Sequence, residues 1–126
     1  MVIREVTLPL RLVSLTNQRE HWAKKAKRAK EHRGLAKLAL EGVKRRAWPG
    51  TRLFVAKGET LAVALTRVAP RKLDDDNLRA SAKSVRDGVA DWIGIDDGDP
   101  RIEWRYEQER GKPKEYAVRI RIERKQ

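Results

Sequence analysis

Two groups of aspartates are the residues of this sequence best suited to chemistry: Asp74-Asp75-Asp76, and, about one helix further on, Asp96-Asp97 with Asp99. Carboxylates brought together repel. Such a site either binds protons with raised affinity or recruits a hard divalent cation that prefers oxygen ligands, Mg²⁺ or Mn²⁺. A cation held this way polarises a phosphoryl oxygen, lowers the pKa of its bound water and stabilises an oxyanion leaving group, which is the chemistry of phosphodiester hydrolysis. The chain has no cysteine, and its two histidines, His21 and His32, are too few and too far apart for a histidine-rich centre. Disulfides, thiolate zinc and a cysteine nucleophile are excluded, and any metal is held mainly by oxygen. Extended backbone over 71–76 sends Asp74 and Asp76 to one side and Asp75 to the other. Taken alone, each group is ordinary capping or turn chemistry. At both ends of one helix in a basic chain, the pair favours a metal site.

The rest of the composition points to the substrate. Thirty Lys and Arg against 18 Asp and Glu in 126 residues give a net charge of +12, which attracts a polyanion through counterion release. Lys24, Lys25, Lys27, Arg28, Lys30 and Arg33 crowd one predicted helix, and Arg71, Lys72 and Arg79 flank the first acidic group. Of these, Lys24, Lys25, Lys27, Arg28, Arg71, Lys72 and Arg79 are the candidate nucleic-acid contacts. Lys83 is a candidate for a phosphate or the attacking water, although an exposed i,i+4 pair with Asp87 explains it slightly better on physics alone. Trp22, Trp92 and Trp104 sit on apolar stripes and are expected in the core, while Trp48 does not. At 40% hydrophobic and 38% charged residues the chain is expected to fold as one soluble domain, 1–126. With no apolar run near the roughly 20 residues that span a bilayer, no membrane association and a cytoplasmic location are expected.

The elements that position these residues follow from periodicity. Residues 2–10 alternate, with Val6, Leu8 and Leu10 on one face and Pro9 marking an edge strand or its end. Asn17 with Glu20 has capping-box chemistry, and Trp22, Ala26, Ala29, Ala36, Leu40, Val43 and Ala47 define a long helix ending near Trp48-Pro49-Gly50, with Gly34 a candidate kink or break. Two short apolar runs, 53–56 and 61–68, read as a hairpin. The second has no polar face over 61–65, which predicts a central strand covered by helices on both sides. A second helix capped by Asp76 or Asn77 carries the stripe Leu78, Ala82, Val85, Val89, Trp92 and Ile93 and stops at Gly94. Alternation at 102–107 and 118–123 around Gly111-Lys112-Pro113 predicts a C-terminal hairpin. The fold class expected is α/β, a single mixed sheet of about five strands with two main helices.

Three segments together, Leu73-Asp74-Asp75-Asp76-Asn77-Leu78, Lys83-Ser84-Val85-Arg86-Asp87-Gly88-Val89 and Gly94-Ile95-Asp96-Asp97-Gly98-Asp99-Pro100, resemble the RusA-type Holliday-junction resolvases, small endonucleases of phages and prophages. The diagnostic motifs lie within 73–100, and the length and order of elements fit the family over most of the chain. The resemblance implies a RusA-like fold and a homodimer that binds four-way DNA junctions and makes paired, Mg²⁺-dependent nicks in recombination and repair. It assigns metal binding to Asp74, Asp76 and either Asp97 or Asp96. The family's lysine, one turn after the second motif aspartate, falls here on Ala80. Lys83 takes that role if a short insertion is allowed, and Arg79 is the substitute. Two other readings stand beside it: a non-enzymatic basic nucleic-acid binder, and a metal-dependent nuclease acting on another branched DNA.

Overall fold

The apolar run at 61–65 becomes the spine of the molecule. In the computed structural model, which describes residues 2–13, 22–41 and 58–125, the elements are β1 (Val2–Leu8), α1 (Trp22–Glu41), β2 (Thr60–Ala69), α2 (Asp75–Ser81), α3 (Lys83–Ile93), β3 (Ile102–Arg110) and β4 (Ala117–Lys125). The strands form one open, mixed sheet in the order β1-β4-β2-β3. Among the described residues β1 is an edge strand, as expected, antiparallel to β4, with a bulge near its start. β2 runs antiparallel to β4 and parallel to β3, so β2, α2, α3 and β3 make a crossover unit.

Several expectations need correction. There is no C-terminal hairpin: β3 and β4 are separated by β2, which takes both as neighbours. Adjacency in sequence favours pairing, but β2 is the most apolar strand and buries most by sitting inside. Four strands occur among the described residues; the fifth expected, the run 53–56, lies outside them, as do Asn17, Glu20 and the helix end near Trp48. The second helix is two helices, which makes three where two were expected. The bend comes at Ala82, where the Ser81 hydroxyl donates to the Leu78 carbonyl at 2.9 Å and so competes with the helical ladder. The stripe survives the bend, since Leu78, Ala82, Val85, Val89, Trp92 and Ile93 are all buried.

Gly34 does not break α1, which runs through it. Trp22 is 75% exposed rather than core, because the first half of α1 stands exposed and burial begins only at Ala36 and Leu40. From there α1 packs closely on α3. A Cβ at Gly88 would lie 2.3 Å from the Arg33 carbonyl oxygen and 2.8 Å from the Ala36 Cβ, so only glycine lets the helices approach this near. Arg33 and Asp91 close the same contact with two hydrogen bonds of 2.6 and 2.8 Å. At the far end Arg4 donates to the carbonyls of Leu40 and Ala39, covering the last turn of α1 from β1.

β2 is buried on both faces, yet among the described residues helices do not supply both covers. Leu61, Val63 and Leu65 join the helical core, whereas Ala62 and Val68 are buried outside that cluster. On their face the register sets Ala62, Ala64 and Thr66 between Glu103, Arg105 and Glu107 of β3 and Glu123, Arg121 and Arg119 of β4. Small residues in the centre let long charged neighbours lean over them and shield the strand.

Candidate functional site

Both acidic groups hang from one side of β3. Asp74 is the N-cap of α2, its Oδ1 accepting from the Asn77 amide at 3.0 Å. Asp75 and Asp76 are already helical. The cap is thus neither Asp76 nor Asn77, and the extended run expected over 71–76 does not occur: β2 ends at Ala69. Asp74 and Asp76 are exposed at the first turn of α2. Among the described residues, neither Asp75 nor Asp76 makes a side-chain hydrogen bond or ion pair.

The second group is returned to the start of α3. α3 is 11 residues long, about 16 Å, and Gly94 stops it in the left-handed conformation, φ 86°. The following loop runs back along the helix until Asp97 meets its first turns. There the Asp97 carboxylate accepts from Lys83 Nζ at 3.0 Å and from Arg86 Nε at 2.9 Å, and a second Arg86 nitrogen donates to the Asp97 carbonyl at 3.0 Å. Trp104 Nε1 donates to that carbonyl at 2.8 Å. Lys83 also pairs with Asp87 at 2.7 Å, so the i,i+4 pair exists and Lys83 bridges it to the acidic loop. These contacts fix the charges: Asp97 is held below its ordinary carboxylate range by the Lys83 hydrogen bond first, with Arg86 adding to it, and Lys83 is pushed up by Asp87 and Asp97. Asp96 instead closes a turn, accepting from the Gly98 amide at 3.0 Å, and Asp99 clasps Arg101 at 2.9 Å and titrates at about 2 as a result.

Core-face side chains of β3 connect the groups. Tyr106 accepts from Arg86 at 2.9 Å and lies under the Arg79 guanidinium at 5.1 Å. Gln108 holds Leu73 as a strand would: its Oε1 accepts from the Leu73 amide at 2.9 Å and its Nε2 donates to the Leu73 carbonyl at 2.8 Å. Trp104 anchors one acidic group and Gln108 the other, four residues apart on β3, or about 13 Å of strand. Among the described residues no three carboxylates or histidines stand close enough to hold a metal together.

Of the candidate contacts, Lys24, Lys25, Lys27 and Arg28 lie on the exposed half of α1, and Arg71, Lys72 and Arg79 are exposed beside the first acidic group, Lys25 and Arg28 being half-buried. Arg33 is committed to Asp91. Sequence reasoning missed Arg86, Tyr106 and Gln108. The available signal was the pairing of Lys83 with Arg86 at i,i+3 beside a stripe residue, which puts two cations on one edge of α3.

No family model matches the chain. It is similar to an uncharacterised protein of Xylella fastidiosa (strain Temecula1 / ATCC 700964), 37% identical over 99 residues, which cover 75% of this chain and 61% of that protein. The chain therefore spans less than two thirds of that relative's length. Among the described residues no helix is long and apolar enough to cross a membrane.

Proposed function

We propose that the protein is a RusA-type, Mg²⁺- or Mn²⁺-dependent endodeoxyribonuclease that resolves four-way DNA junctions as a homodimer. The observation that carries this reading is the return of the loop after α3, which brings Asp97 to Lys83 and Arg86 at the start of α3, one short helix away from Asp74 and Asp76. A pure backbone binder has no use for carboxylates there, since each repels phosphate. Twofold cutting of a near-twofold junction calls for a symmetric dimer, because one small domain has room for one site.

The donor chemistry fits a hard cation: Asp76 is exposed and uncommitted, and Asp74 has one oxygen beyond its capping bond. Mg²⁺ is commonly held by one or two carboxylates, with water and phosphate oxygens completing its shell. Asp74 and Asp76 are the ligands in this reading. When bound, the ion would supply an activated water and charge neutralisation at the phosphoryl group. Asp97 stays with its cations, and Lys83 and Arg86 hold its loop against α3. The exposed lysines of α1 grip phosphates away from the cut.

One observation favours a second reading, a non-enzymatic nucleic-acid binder: no three-carboxylate group stands among the described residues, and Asp97 is neutralised by Lys83 and Arg86. Incubation with Mg²⁺ and end-labelled four-way junction, duplex and single-stranded DNA side by side decides between them. Paired nicks in the junction alone are expected. Binding to all three without cleavage in any metal leaves the binder, and preferential cleavage of another branched form replaces the substrate.

A further inference from the structure

A second cationic feature lies beyond the acidic groups, at the carboxyl ends of the parallel strands β2 and β3. A cavity of about 370 Å³ opens there, lined by Arg67, Arg71, Lys72 and Arg110 together with Gln108 and Glu109. Glu109 is the sole acid of the set and is occupied by Arg119 at 3.1 Å. Four cations around one cavity repel each other, and nothing among the described residues neutralises them.

Arg67 is the informative member. It stands in the register of the buried core face, paired with Gln108 and Val118, and only 7% of its surface is exposed. One terminal nitrogen donates to the Arg71 carbonyl at 2.6 Å and makes a long contact of 3.5 Å to Gln108 Oε1. Its Nε is buried with no partner. No carboxylate faces it among the described residues; its charged neighbour is another arginine, Arg11, with Tyr116 alongside, and burial pulls its pKa down. A guanidinium stays protonated in proteins regardless. A buried cation with an idle donor and no counter-ion is costly for the folded chain to keep, unless an anion completes it.

We propose that this cavity is a phosphate-binding subsite that takes one backbone phosphate of a nucleic-acid strand, with Arg67 as its floor and Arg71, Lys72 and Arg110 as its rim. Arginine suits a phosphate because its planar fork offers two parallel donors, and parallel strands end in a crevice where ligands commonly bind. The same Gln108 that touches Arg67 holds Leu73, next to Asp74. A strand phosphate in the cavity is thereby indexed against the first acidic group. This last point rests on the nuclease reading; anion binding itself does not.

The test is fluorescence anisotropy of a labelled single-stranded DNA oligonucleotide in excess chelator, where no cleavage occurs, with inorganic phosphate as a competing probe. Wild-type protein is compared with Arg67→Met, with the rim double variant Lys72→Ser/Arg110→Ser, and with Arg105→Ser, which removes one cation from the opposite sheet face. The expected result is a loss of about tenfold or more for Arg67→Met and for the rim variant, with Arg105→Ser close to wild type and phosphate competing only when Arg67 is present. The rim variant changes exposed residues only, so it decides the matter if Arg67→Met does not fold. Equal affinity of wild type and rim variant overturns the proposal. Phosphate binding that depends on Arg67 while oligonucleotide affinity does not overturns the strand assignment. Loss of binding in these variants stands whether or not the wild type ever cuts DNA, so this inference and the nuclease reading fail separately.

Discussion

Arg86 and Arg67 both leave water beside β3, and the chain treats them in opposite ways. Arg86 is surrounded by groups that want a cation: the Asp97 carboxylate and carbonyl, the Tyr106 hydroxyl and the face of Trp104 at 4.6 Å. Arg67, more deeply buried, is given two uncharged oxygens and a second arginine. A cation satisfied by its own chain is a clamp, here on the acidic loop. One left unsatisfied is a demand on something outside the chain, and the cavity above it is where that demand can be met.

The comparison can be broken from either end. The largest effect is expected from Gly88→Ala, which drives a Cβ into the Arg33 carbonyl and displaces α3 with Lys83 and Arg86 on it. Overpacking should outweigh the gain in helix propensity of about 1 kcal/mol and cost about 3 kcal/mol net, read as a fall in the urea midpoint. A variant as stable as wild type would mean that α3 is not pinned against α1. Next, Arg86→Met keeps the volume but strips Asp97 of one of its two cations and its carbonyl of a donor, at about 2 kcal/mol. Hydrogen exchange should show faster amide exchange over 95–99, and unchanged protection there would remove the clamp from the account. Arg67→Met should do the reverse in phosphate-free buffer. Stability is expected to stay level or rise by about 1 kcal/mol, because a buried uncompensated charge is exchanged for an apolar side chain.

The smallest effect belongs to Arg33 and Asp91, a well-formed but exposed pair. Asp91→Asn should cost below about 1 kcal/mol at neutral pH. Arg33 holds the Asp91 carboxyl below its ordinary value. Its contribution is therefore complete above the unfolded-state pKa of about 3.9 and disappears as pH falls through the lower folded value. Denaturation curves of wild type and Asp91→Asn should differ near neutrality and converge in strong acid. A difference that persists in acid would assign the effect to packing rather than charge.

How much of this was legible in the sequence depends on what each residue signals. The stripe from Leu78 to Ile93 was readable because apolar periodicity survives the bend at Ala82, but the bend was not, because it comes from one serine hydroxyl and not from Pro or Gly. Edge placement of β1 followed from its alternation and Pro9. The pairing of β3 with β2 rather than β4 did not follow, since sequence order says nothing about which strand is inserted between two others. At the site, the aspartates announced themselves by type and clustering, whereas their conformations and the partners of Asp97 depended on how far the loop after Gly94 folds back. Arg67 did leave a trace: it shares the parity of Leu61, Val63 and Leu65, so a core-facing arginine could have been expected.

The central claim, that the first acidic group is a catalytic metal site, is tested most directly by Asp76→Asn. Asp74, not Asp76, caps α2, so the swap removes one charge from an exposed, uncommitted side chain and should leave the thermal melt unchanged. A cleavage time course on four-way junction in Mg²⁺, beside a gel-shift titration in chelator, then separates chemistry from binding. The account predicts cleavage lower by a factor on the order of a thousand, as expected for loss of several kcal/mol of transition-state stabilisation, with junction affinity equal or tighter because one carboxylate no longer faces phosphate. Cleavage by Asp76→Asn at the wild-type rate would contradict it.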